Sequence, residues 1–352
     1  MLLRSLQTLN FRNLEPKKLE FGRGITAVVG GNGMGKSNVL EAAFLALTGL
    51  IDVSKLETVV LLGERQAFVG AEVEREDGIT KLEVGLAPGK KLAKVDGVKV
   101  RIAELARHAS AVLIRPEDAD LVHGSPSVRR EFIDRLVARV SPRYGQLLAQ
   151  YERVVQQRNA LLKLEKLEDW MLEVWDEKML EYGTEIMRLR RRATGRLAEL
   201  AHLAHQDLAG NNKSLELSLL ETARLDDMPA HLREKRREEM ARGSTAIGPH
   251  RDDLELRLMG NKAADFASRG EARTIALALR QAEYVLLGEK FKEAPVLFID
   301  DFSAELDSSR REYLLMLAQK APQAIVTGTE SPPMADCTWR IENGRLDAYA
   351  TS

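Results

Sequence analysis

The sequence predicts an α/β fold in which both chain ends build one domain, with a mainly helical lobe inserted between them. Three observations predict it. Strand-like and helical runs alternate in the first hundred residues and again after residue 243. The stretch between carries apolar residues at three-and-four spacing, as in Phe132, Leu136, Val140 and then Leu147, Leu148, Tyr151, Val154, Val155, which is the signature of helices. Two half-motifs for handling phosphate stand near residues 30 and 300, so the chain ends have to meet.

Taken in order, short β-type runs fall at 2–9, 24–29, 66–74, 79–86 and 91–95, and one helix interrupts them after Gly35. Helices begin near residue 127, and a second long helical stretch runs over 167–208 to a break at 210–212. A charged segment at 231–240 completes the lobe. The β-type pattern resumes at 253–259, followed by a helix at 270–287, the apolar strand 295–299, a helix at 308–319 and a strand at 324–327. The expected division is therefore a head from 1–126 and 245–352 and a helical lobe from 127–244. No internal repeat or low-complexity tract is visible.

Composition excludes little. Lys plus Arg (52) nearly cancels Asp plus Glu (53), so net charge argues neither for nor against a nucleic-acid partner, because a basic stripe can coexist with a neutral total. The single cysteine, Cys337, cannot form an internal disulfide, and the N-terminus lacks a secretory pattern, so the expected location is cytoplasmic. No apolar run approaches the roughly 18 to 20 residues that a bilayer span needs, so no membrane role is expected.

Gly30-Gly31-Asn32-Gly33-Met34-Gly35-Lys36-Ser37 fits G-x-x-x-x-G-K-[ST] between a β-run and a helix. Its glycines let backbone N–H groups turn inward around phosphate oxygens, and the helix start adds positive potential. Lys36 is expected to bridge the β- and γ-phosphates of ATP, and Ser37 to ligate Mg²⁺, with Asn38 completing the nucleotide-binding set. The strand Val296-Leu297-Phe298-Ile299 ends in Asp300-Asp301. Asp300 is expected to hold the metal and Asp301 to act as the catalytic carboxylate that orients the attacking water. Between these motifs, Ala267-Ser268-Arg269-Gly270-Glu271 opens an apolar helix and forms a second anion site. One phosphate loop already serves the chain's own nucleotide, so this second site suits the γ-phosphate of a nucleotide on another copy.

These residues resemble the ATP-binding-cassette ATPases. Ser268, Gly270 and Glu271 look like their signature motif acting in trans. Asp300-Asp301 and Ala304-Glu305-Leu306-Asp307 look like their Walker B and D-loop. Within that superfamily the chain resembles the RecF family, through Leu9-Asn10-Phe11-Arg12-Asn13-Leu14, through Pro116-Glu117, Gly124-Ser125-Pro126 and Arg129-Arg130-Glu131-Phe132-Ile133-Asp134, and through Gly248-Pro249-His250-Arg251-Asp252-Asp253-Leu254. The resemblance implies an ABC-type head with a helical lobe and no long coiled coil. It further implies ATP-dependent homodimers that bind duplex or gapped DNA without sequence preference and act with RecR and RecO to load RecA. One departure stands out: ABC ATPases commonly carry a histidine after the last core strand, and here Gly328-Thr329 follows Thr327. Slow hydrolysis that serves as a timer is the expectation.

Candidate DNA contacts are the clusters Arg188, Arg190, Arg191, Arg192, Arg196 and Arg233, Lys235, Arg236, Arg237, with a solvated helix face neutralised by nearby glutamates as the alternative. Arg129-Arg130 admits a DNA contact or a salt bridge to Glu131 or Asp134. His250-Arg251-Asp252-Asp253 reads as a metal or acid–base site or as a hydrogen-bonded structural corner. Trp170, Trp175, Met171 and Met179 read as lobe core. Two rival functions remain: the ATPase head of a transport or SMC-type assembly, and a metabolic kinase sharing the phosphate loop.

Overall fold

The structure is a computed structural model that describes residues 1–53, 55–164, 166–209, 213–224, 227–302 and 308–349. The chain divides into two compact units, Met1–Asp118 with Arg280–Ser352, and Ala119–Leu279.

The first unit opens with β1 (Leu2–Leu9), β2 (Lys17–Glu20), β3 (Gly24–Val29) and α1 (Lys36–Thr48). It continues with β4 (Ala67–Arg75), β5 (Gly78–Ala87), β6 (Lys90–Val95), β7 (Val98–Val100) and β8 (Ala111–Ile114). The second unit holds α2 (Asp120–His123), α3 (Pro126–Val140), α4 (Tyr144–Leu161) and α5 (Asp169–Ala209), then β9 (Leu215–Leu220), α6 (Met228–Arg242), β10 (Asp253–Leu258), β11 (Asn261–Lys262) and α7 (Ala263–Phe266). The change back to the first unit falls within α8 (Arg269–Phe291), and β12 (Val296–Ile299), α9 (Ser308–Lys320), β13 (Gln323–Gly328), β14 (Cys337–Glu342) and β15 (Arg345–Tyr349) finish the chain.

Two six-stranded sheets make the first unit, one in the order β2-β1-β4-β5-β6-β7 and the other in the order β15-β14-β3-β13-β12-β8. α1 is apolar nearly all round, with Val39, Leu40, Ala42, Ala43, Leu45, Ala46 and Leu47 buried in a core shared with both sheets, as expected of a helix covered on every side. β8 and β12 read Ala-Val-Leu-Ile and Val-Leu-Phe-Ile and are buried throughout, the pattern of parallel strands with both faces covered. β3, β13, β12 and β8 run parallel. Their carboxyl ends therefore share one edge, where open α/β sheets place their ligands. Val29 leads into the phosphate loop on that edge, and Ile299 leads into Asp300.

In the second unit, α5 is a single 41-residue helix that packs on α4 and β9. β9, β10 and β11 form a separate antiparallel sheet. This pairing explains a difference from the sequence reading, which assigned everything beyond 245 to the head. β10 bonds to β9 instead of to either head sheet, so 245–279, including the signature segment, belongs to the second unit. The sequence reading also passed over β2, β7, β8, β9, β11, β14 and β15. Of these, β8, β9 and β14 are held by partners distant in sequence, as with β14 beside β3, and local periodicity carries no such information.

Candidate nucleotide site

The loop between β3 and α1 is shaped by close contacts that exclude side chains. A Cβ on Gly30 would lie 2.4 Å from the Ile341 carbonyl oxygen, and one on Gly35, at φ +108°, would lie 2.7 Å from Asn13 Oδ1. α1 starts at Lys36 with no side-chain cap and no acidic residue in its first turn, so its first N–H groups have no internal acceptor. Lys36 Nζ lies 2.9 Å from the carbonyl oxygens of both Gly30 and Gly31. Its side chain is only 7% exposed, and no carboxylate pairs with it among the described residues. A buried ammonium held by neutral carbonyls alone is costly, and a polyanion in the loop removes that cost.

Across the strand edge, the Ser37 hydroxyl donates to Asp300 Oδ1 at 2.9 Å, and the Thr327 hydroxyl donates to the same oxygen at 2.6 Å. Thr327 in turn accepts from the Asp301 N–H at 2.8 Å. Asp301 holds a left-handed backbone, φ 48°, which a non-glycine residue adopts at a cost. One buried threonine thus fixes both carboxylate-bearing residues, a job the sequence had not assigned to it. The hydroxyl and carboxylate oxygens of Ser37 and Asp300 are hard donors of the kind Mg²⁺ takes beside phosphate oxygens and water. Among the described residues no group of three or more His, Cys, Asp or Glu gathers as a protein-only metal cage.

Asn13 and Arg12 also join the site. Asn13 Nδ2 donates to the Met34 carbonyl at 3.3 Å and Oδ1 accepts from Asn38 Nδ2 at 2.7 Å, while Arg12 pairs with Glu41 of α1 at 3.0 Å. Their signal in the sequence was the motif they belong to, without a role. At Gly328, just after the last core strand, a Cβ would sit 2.5 Å from the Phe302 ring. The D-loop residues Ala304, Glu305, Leu306 and Asp307 lie outside the described residues.

The signature segment opens α8 in the second unit. The Ser268 backbone N–H and hydroxyl both donate to Glu271 Oε2 at 3.0 Å, and the Glu271 N–H donates back to Ser268 Oγ at 3.2 Å. This is a reciprocal capping box. Lys213 Nζ binds the other Glu271 oxygen at 2.8 Å. Lys213 first, then the Ser268 donors, hold the Glu271 carboxyl down to about 2.

Residues 2–342 match the model of the RecF/RecN/SMC N-terminal domain. A DNA replication and repair protein RecF from Deinococcus deserti is 55% identical over 346 residues, covering 98% of this chain and 95% of its own. The Deinococcus radiodurans RecF is 52% identical over 348 residues, covering 99% and 96%. The chain belongs to the RecF family. A solved structure of the recombination mediator protein RecF with ATP superposes at TM-score 0.92 with 31% identity, covering 99% of this chain and 97% of that one. An SMC head at 19% identity and TM-score 0.56 shares the fold alone.

Within this RecF-family chain the predicted basic clusters are mostly neutralised. Arg188 pairs with Glu185, Arg191 with Glu221, and Arg196 with Glu199. Arg236, largely buried, is bound to Asp169 and Asp176. Arg192 and Arg237 are exposed. Arg190, expected among the surface cations, is instead buried between Asp134, Tyr144 and the Pro249 carbonyl. Arg129 grips Asp253 through two 2.8 Å bonds, not Glu131 or Asp134, and Arg130 donates to the Asp252 carbonyl.

The 248–254 motif is a structural corner. Tyr151 OH lies 2.8 Å from His250 Nδ1, and His250 Nε2 lies 3.3 Å from the Thr245 carbonyl, an acceptor that only an Nε2–H can satisfy. Burial pulls the His250 pKa down to about 4. Asp252 accepts from the Thr222 N–H and hydroxyl. Trp170, expected in the core, is 61% exposed, whereas Met179 is fully buried as expected.

Proposed function

We propose that this chain is an ATP-gated, DNA-binding recombination mediator. Gly30 through Asn38 hold the triphosphate, with Lys36 between the β- and γ-phosphates, and Ser37 with Asp300 hold Mg²⁺. When bound, Mg²⁺ supplies charge that neutralises the phosphate oxygens. The observation that carries the reading is the buried Lys36 ammonium with no carboxylate partner beside the Ser37–Asp300–Thr327 group. Asp301 orients the attacking water and takes its proton, and Thr327 holds its backbone in register. Without a histidine at 328, hydrolysis is slow and times the release of the dimer.

Dimerisation uses Ser268, Gly270 and Glu271 against the γ-phosphate on a second copy. In the free chain the Ser268 hydroxyl donates to Glu271, and turning toward the phosphate exchanges one anionic acceptor for another. ATP binding energy then stabilises only the dimer. Two DNA-contacting surfaces are joined in it, so weak phosphate contacts combine through effective concentration, and RecR, RecO and RecA are the partners at gapped or duplex DNA. A transport or SMC-type head is the weaker reading, since the SMC head is only 19% identical to this chain whereas a RecF relative is 55% identical over nearly its whole length.

The test is retention of duplex DNA by the full chain with and without ATP at two salt concentrations. Retention that needs ATP and weakens with salt is expected. Equal retention without nucleotide contradicts the gate.

A further inference from the structure

The antiparallel sheet of the first unit presents one face to the core and leaves the other in solvent. Strand register sets Leu9, Phe68, Gly85 and Leu92 in one row across β1, β4, β5 and β6. Their inward neighbours Val69, Val84 and Ala93 are buried, so this row looks outward. Leu9 is 47% and Leu92 53% exposed. The Phe68 ring lies against Gly70, where a Cβ would come within 3.0 Å of it. Beside the ring Gly85 leaves an open trough of about 470 Å³, lined also by Leu9 and Leu92 and, at one end, by Glu64 and Arg65.

Charge on the same face is unbalanced at one end. Lys90 and Lys94 flank Leu92 at alternate positions of β6, and Lys99 stands directly opposite Lys94 on β7. Facing like charges across a ladder destabilise it. None of the three lysines has an ion pair or hydrogen bond among the described residues. Glu83, opposite Lys94 on β5, is engaged by Lys81 at 3.1 Å instead. Lys18 is likewise paired, with Glu72 at 3.0 Å. Folding gains nothing from three uncancelled cations beside an apolar trough, whereas an anionic ligand with a flat apolar part gains from both.

We propose that this sheet face binds single-stranded nucleic acid, with a base stacked on Phe68 between Leu9 and Leu92 and backbone phosphates on Lys90, Lys94 and Lys99. An aromatic platform with cations along it is the chemistry of sequence-tolerant strand binding. A base reaches Phe68 only when it is unstacked from a duplex. The proposal rests on the DNA-binding reading above and names the strand and the surface. It replaces the arginine clusters of the helical unit, most of whose charge is already cancelled.

The experiment titrates a labelled oligo-dT of roughly 20 nucleotides, long enough to span one sheet face, against the full chain with ATP at several salt concentrations. Lys94→Glu combined with Lys99→Glu should weaken binding at least tenfold and flatten the salt slope by about 1.4, at roughly 0.7 per lost phosphate contact. Phe68→Leu should weaken binding about tenfold with the slope unchanged. ATP affinity should stay at the wild-type value in both, which also reports that they fold. Wild-type affinity and slope in the charge-reversed variant overturn the proposal, as does a wild-type chain that ignores oligo-dT. So does a charge-reversed variant that keeps oligo-dT but loses a labelled Asp-Asp-Asp-Phe peptide, which assigns the face to acidic protein segments. ATP-dependent duplex retention by the same variants reports separately on the function proposed above.

Discussion

The strand-edge site of the first unit and the 248–254 corner of the helical unit are alike in sequence, since each sets glycine beside clustered charge. In space they differ in what the charges face. Arg158 is fully buried, yet it meets Asp176 at 2.7 Å, Glu239 at 2.6 Å and the Thr245 hydroxyl at 2.9 Å. Arg190 is likewise bound to Asp134 through two bonds. Lys36, almost as buried, meets only neutral carbonyls. Cancelled charge holds a fold together, and uncancelled charge awaits a ligand.

The contrast breaks most visibly if Arg190→Met fails to destabilise. That change leaves Asp134 short of its buried partner and should cost about 3–5 kcal/mol in denaturant unfolding, with ATP affinity unchanged. Acid should act on the same unit. The folded pKa of His250 is about 4 against an ordinary 6.5, so the unfolded chain takes up its proton first. Stability is complete above pH 6.5 and falls as pH drops from 6.5 to 4, by up to about 3 kcal/mol. An unfolding series across that window checks it, and His250→Gln should lessen the slope.

The reverse pattern is expected in the first unit. Lys36→Ala should weaken ATP about 100-fold, or about 2.7 kcal/mol, as read by titration with a labelled nucleotide. Unfolding should move little or toward greater stability, because a buried cation without a counterion is removed. Thr327→Val should have the smallest effect, about tenfold in turnover with ATP still bound, as expected of a group that positions others. Loss of ATP binding in Thr327→Val, with slow turnover intact in what remains bound, would move that threonine from positioning the acids to holding the nucleotide.

Much of the strand-edge site was legible because its parts are contiguous. Gly30 through Ser37 is one unbroken motif, and Ile299 to Asp301 is another; each says locally what it does. Thr327 was not legible, since its role depends on β13 lying beside β12. Asn13 depends likewise on its approach to Met34 and Asn38. The buried arginines misled for a related reason: Arg190 sits in an arginine-rich run, but the helix turns that one residue inward, and its partners Asp134 and Pro249 come from other elements. The head boundary shifted because β10 pairs with β9, a strand hidden in a region that read as helical.

We propose that Lys36 of one copy and Ser268 of the other together grip each triphosphate. Sedimentation with ATP of Lys36→Ala alone, Ser268→Arg alone and an equal mixture tests it most directly. Neither variant should dimerise by itself, while the mixture should form heterodimers, because one of their two shared sites joins an intact Lys36 to an intact Ser268. A mixture that stays monomeric where the unaltered chain dimerises, or a Ser268→Arg chain that dimerises unaided, contradicts the account.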